Sequence, residues 1–88
     1  MESLIGRFAI SAAGHDAETI YLIVGQEDDF LYLCDGKYKP LEKPKRKRRK
    51  HVRVLGVSAE EQLVGRLLKK EKIFDHEIKY AIKLYLAK

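Results

Sequence analysis

The chain reads as a mainly β protein: a small five-stranded barrel followed by two helices. Three observations predict this. Short runs with the period of two fill residues 6–41, parted by turns rich in glycine and aspartate. Two of those runs are apolar on both faces, so a further layer must cover the outer side of the sheet. Past residue 58 the apolar spacing lengthens to that of amphipathic helices, which can supply the cover. At 88 residues there is one small domain, with a hydrophobic fraction of 45% that excludes a wholly disordered chain. Charged residues at 35% exclude a membrane-buried one.

The elements follow in order. Phe8, Ile10 and Ala12 alternate with Arg7, Ala9 and Ser11, a first strand with one buried face. Gly14, His15 and Asp16 turn the chain, and the β-branched and aromatic residues 19–24 make the second strand. An acidic turn ending in Asp28 and Asp29 leads to the third strand, Phe30–Cys34. Asp35 and Gly36 are a favoured hairpin pair, so residues 38–41 are expected to return as a short fourth strand ending near Pro40 and Pro44. The fifth is expected at residues 51–55, where apolar and polar residues alternate again. Ser58 and Glu61 have the spacing of a capping box, ahead of a stripe of Leu63, Val64, Leu67 and Leu68. Asp75 opens a second helix with Glu77 in its first turn, and Ile78, Ala81, Ile82, Tyr85 and Leu86 share one face. The expected division is a barrel over residues 1–56 and a helical extension packed on it over 57–88.

The formal charge of +5 conceals its distribution. Residues 43–53 hold eight of the 18 basic residues and none of the 13 acidic ones. The other 77 residues carry ten basic and thirteen acidic side chains, a net of −3. A weakly acidic body thus bears one basic strap: Lys43, Lys45, Arg46, Lys47, Arg48, Arg49, Lys50 and Arg53, with His51 beside them. Six adjacent charges repel one another, so the strap is not expected to order fully by itself. Each Lys or Arg set on a phosphate releases condensed counterion, and arginine also grips phosphate with two donors, so the strap points to nucleic acid. The same run also has the look of a nuclear-import peptide or a plain solvated charge cluster.

The remaining candidates are few. Tyr38, between Lys37 and Lys39 just ahead of the strap, is either a ring for a base or sugar or a strand-edge residue. Tyr21, Phe30 and Tyr32 are flanked by aliphatics and read as core. The histidines at positions 15, 51 and 76 lack metal-ligand spacing, and Cys34 reads as a buried strand thiol, so no metal or cofactor is expected. No nucleophile, base and phosphate loop come together in the pattern, so no enzyme is expected. One cysteine, no apolar run of about 20 residues and no leader pattern lead to the expectation of a cytoplasmic protein without a membrane partner or small-molecule substrate.

Residues 5–24, a strand, a Gly-x-Asp loop and a second strand, resemble the KOW motif. The order continues with an acidic turn, a strand ending Cys34-Asp35-Gly36, a Lys/Arg run after Lys43-Pro44, and then His51-Val52-Arg53. This is similar to the small KOW-domain RNA-binding proteins related to archaeal- and eukaryotic-type large-subunit ribosomal proteins. The resemblance implies an SH3-like barrel of KOW type that binds RNA, ribosomal RNA above all, with Gly14, His15 and Asp16 as the KOW loop. The family loop runs Gly-Lys/Arg-Asp-Lys-Gly, whereas here His15, Ala17 and Glu18 replace its lysines and second glycine. A carboxylate at position 18 repels phosphate, so binding is expected on residues 43–53 with Tyr38 and Lys39. The alternative is a protein-interaction module that uses the barrel and helical tail, since KOW domains of transcription elongation factors contact polymerase.

Overall fold

The computed structural model describes residues 3–11 and 19–87. Five strands form one sheet: β1 (Arg7–Ser11), β2 (Ile20–Glu27), β3 (Phe30–Cys34), β4 (Lys45–Arg48) and β5 (Val52–Ser58). A 3-10 turn, Arg49–His51, joins β4 to β5, and two helices follow, α1 (Glu61–Leu68) and α2 (Asp75–Leu86). The sheet order is β4-β3-β2-β1-β5, and every neighbouring pair is antiparallel. Glu27 pairs with Phe30 across a two-residue turn in which Asp28 takes a φ of 53°, a left-handed conformation that aspartate tolerates. A mainly β chain with two C-terminal helices is therefore what forms.

Both faces of the sheet are buried, as the two-sided apolar strands require. On one face Phe8, Leu22 and Cys34 pack with Leu63 and Leu67 of α1 and Ile78 of α2. On the other, Ala9, Tyr21, Ile23, Leu31, Leu33 and Val52 come together without any helical residue. Tyr85 of α2 stacks on Phe8 with ring centroids 4.6 Å apart. Leu68 and Leu86, which share the helical stripes, are the last residues of their helices and are exposed.

The fourth strand is not where the hairpin signal puts it. Asp35 does not close a hairpin. Its Oδ1 accepts from the backbone N–H groups of Lys37 (2.9 Å) and Lys39 (2.8 Å), which curls the segment into a loop. Residues 38–41 thus carry no strand, and Leu41 is tied instead to α2 by its N–H donating to Asp75 Oδ1 at 2.7 Å. The strap itself is the fourth strand, paired Leu33 to Lys45, Leu31 to Lys47 and Phe30 to Arg48. Extension makes this tolerable. Successive side chains leave opposite faces, same-face neighbours sit about 6.8 Å apart, and their repulsion in water is about 0.6 kcal/mol. An edge position keeps the charges solvated, and lysines at an edge also deter pairing with other chains.

The helix starts differ in the same way. Ser58 is not a cap: it is the last residue of β5, opposite Arg7, and α1 starts at Glu61 after Glu60 with no side-chain cap. At α2, Glu77 Oε2 accepts from the Phe74 N–H at 3.0 Å, the reciprocal half of a capping box. Arg66 of α1 grips the same carboxylate with two donors, at 2.5 and 3.1 Å, and donates to the Lys72 carbonyl at 2.8 Å. The Arg66 hydrogen bonds hold the Glu77 carboxyl below its ordinary range, with the Phe74 N–H adding to the effect. A depressed carboxyl stabilises the fold above its unfolded pKa, and that contribution is lost as pH falls through the folded value.

Cys34 is fully buried between β3 and the helices. Burial pushes its thiol up to about 12 from 9.0, against the lowering effect of the Gly36 N–H and with Asp75 and Asp35 adding to the rise. A thiolate-directed reagent is therefore expected to label native protein on the order of 10³-fold more slowly than the urea-unfolded chain. Equal rates in the two states, measured by mass spectrometry, would mean that the helices do not seal this face.

Candidate nucleic-acid interface

The strap occupies one continuous stretch of strand, turn and strand, which joins the two outer strands of the sheet. The pleat of β4 sorts its charges. Arg46 and Arg48 stand opposite Tyr32 and Phe30, while Lys45 and Lys47 stand opposite Leu33 and Leu31. Lys45 is half-buried, with Nζ 5.7 Å from the centre of the Tyr21 ring. Desolvation lowers the Lys45 pKa, and the like charge of Lys47 adds to this.

The arginines have distinct environments. The Arg46 guanidinium carbon lies 3.6 Å from the centroid of Phe30, and that of Arg48 lies 5.0 Å from the same ring. Arg48 also pairs with Asp29 at 3.4 Å, with both side chains more than half exposed. Such a pair contributes well under about 1 kcal/mol and leaves the arginine free to exchange partners. The Arg49 backbone N–H donates to the Asp29 carbonyl at 2.7 Å, and its Nη1 donates to the Val52 carbonyl at 3.1 Å, bracing the 3-10 turn. Lys50, His51 and Arg53 are exposed on the turn and the start of β5, and Lys43 is exposed just before β4.

Residues 45–53 thus run from one outer strand, β4, through the 3-10 turn into the other, β5, and are ordered by β3, the Asp29 turn and β1. Tyr38 and Lys39 belong to the preceding loop. Tyr38 is 75% exposed, and its described ring contact is Lys37, with Nζ 4.9 Å from the centroid. Gly14, His15 and Asp16 lie outside the described residues. Two aromatics meet the strap, Tyr21 at Lys45 and Phe30 at Arg46 and Arg48, and aliphatic neighbours in sequence mark both as core. The missed signal was available in the alternation of Phe30 and Tyr32, but only a strand at residues 45–48 puts arginines across from them.

The edge can hold anions by charge and by many outward N–H donors. Among the described residues, no group of three or more His, Cys, Asp or Glu side chains is placed to hold a metal ion. No described helix is long and apolar enough to cross a membrane. Away from the strap, α1 and α2 border an apolar groove of about 470 Å³ lined by Phe8, Leu63, Tyr80, Ala81, Leu84 and Tyr85. A scan against models of protein families finds no match to this chain, and a search of curated proteins finds no relative.

Proposed function

We propose that this chain is a non-enzymatic, cytoplasmic RNA-binding module, an SH3-like barrel of KOW type that docks on structured RNA, ribosomal RNA above all. One observation carries it. The eight basic residues of 43–53 are concentrated in one ordered stretch of strand, turn and strand that contains no acidic residue. Because β3 and the 3-10 turn already order the strap, binding meets a smaller loss of chain entropy than a free tail would.

The chain path supports the barrel. Five flat strands put the outer two about 19 Å apart. Yet β4 and β5, the two outer strands, are joined by a three-residue 3-10 turn, which advances only about 6 Å. A rolled sheet reconciles the two, and it accounts for the helix-free cluster around Leu31 and Val52 as the inner face of the roll. RNA rather than DNA, and the ribosome as its setting, rest on the KOW resemblance.

The test is a salt titration against a structured RNA. With four to six phosphates engaged, log K is expected to fall against log salt with a slope of roughly −3 to −5. A slope near zero would sink the proposal. A second reading, a protein-interaction module, is favoured by the groove between α1 and α2, where Tyr80 and Leu84 remain exposed. Recovery of a protein partner after nuclease treatment, with no RNA retained at any salt, would decide for it.

A further inference from the structure

We propose that Arg46, whose guanidinium carbon lies 3.6 Å from the centre of the Phe30 ring, is a stacking platform for an unpaired nucleobase. The inference rests on the RNA-binding function proposed above and deepens it, from an RNA in general to RNA that exposes a base in a loop, bulge or single strand. A guanidinium carbon 3.6 Å from a ring centroid is at van der Waals stacking distance, so one face of the Arg46 plane is taken by Phe30. Arg46 is nonetheless exposed, and its side chain makes no hydrogen bond or ion pair among the described residues.

The platform is pre-organised. Register sets Arg48 across from Phe30 and Arg46 across from Tyr32, so two guanidiniums lean on one ring from the same edge strand. A planar, delocalised cation that is already stacked on one side accepts a base on the other at little ordering cost. Phosphate alone does not call for this arrangement, because a lysine serves a phosphate as a point charge without a ring behind it. In an A-form duplex the base faces are stacked on one another and are closed to such a plane.

The test uses an RNA hairpin with 2-aminopurine in its loop and a fully paired duplex of equal length carrying the same label. The chain has no tryptophan, so the label can be excited without competing indole emission. Wild-type protein is expected to quench the loop label on binding. Arg46→Lys keeps the charge and removes the plane. It should weaken hairpin binding about tenfold, abolish the quench, and leave duplex affinity and the salt slope unchanged. Phe30→Leu should act in the same direction, with circular dichroism confirming the fold. Unchanged quenching in Arg46→Lys, or equal losses on hairpin and duplex, would overturn the platform while leaving RNA binding by the strap intact. If the wild type instead bound an acidic peptide and neither RNA, both the platform and the function it rests on would fall.

Discussion

Replacing Lys47, Lys50 and Arg53 together by glutamate is expected to weaken binding to a structured RNA on the order of 10³-fold, with the melting temperature little changed. The three are chosen because none of their side chains makes a hydrogen bond or ion pair among the described residues, so the fold loses no described polar contact with them. Arg46, Arg48 and Arg49 are poorer targets, since they engage Phe30, Asp29 and Val52. A lost charge-assisted phosphate contact costs about 1.5 kcal/mol, so three amount to about 4.5 kcal/mol, and repulsion by the new carboxylates adds to this. The salt slope should become shallower by about 2 to 3. Relief of like-charge repulsion along the edge can raise stability slightly, so a folded, soluble variant is the expected starting point. Unchanged affinity and slope, measured by filter binding over a range of salt, would move the interface away from this edge.

The strands that carry apolar alternation were legible in the sequence. β1, β3 and the start of β5 sit where their patterns put them, β2 runs three residues further, to Glu27, through residues read as part of the turn, and α2 opens at Asp75 as its acidic first turn indicates. The strap was legible as a charge cluster but not as a strand, because strand patterning is read from apolar residues and residues 45–51 have none. Its extension depends on hydrogen bonds to β3 and on the Asp29 carbonyl, partners that lie more than ten residues away. The capping box at Ser58 failed for a related reason. The local pattern is sound, but pairing with Arg7 of β1 continues β5 through that residue and defers α1 to Glu61. The Arg66 clamp on Glu77 joins residues eleven positions apart and has no local signature.

The candidate site divides along the same line. Which charges take part can be counted from residues 43–53. Phe30 becomes a neighbour of those charges only through register, since the same ring beside a buried strand would be ordinary core. Tyr38, adjacent to the strap in sequence, is separated from β4 by the loop that Asp35 organises. Nearness along the chain and nearness on the sheet edge are set by different interactions.

The largest expected loss of stability comes from Gly36→Ala. Gly36 has a φ of 76°, a left-handed conformation that costs alanine about 1 to 2 kcal/mol. A Cβ there would also run into the backbone carbonyl oxygen of Asp75 and come within 3.0 Å of the Lys79 backbone nitrogen. Neither can swing aside as a side chain would, so α2 must shift as a unit. Its seat includes Ile78, fully buried against Phe8, Leu22 and Cys34. Strain and displacement together are expected to cost about 2 to 4 kcal/mol, lowering the melting temperature by roughly 10 to 25 °C. Gly36→Asn separates the two causes, because asparagine tolerates the left-handed region but still carries the Cβ. It should recover only the strain, about 1 kcal/mol. Displacement of α2 also uncovers Cys34, so thiol labelling should accelerate well below the melting temperature. Salt-dependent RNA binding should persist, because β3, the Asp29 turn and β5 hold the strap without α2. A wild-type melting temperature and a silent thiol in Gly36→Ala would show that α2 does not rest on this loop.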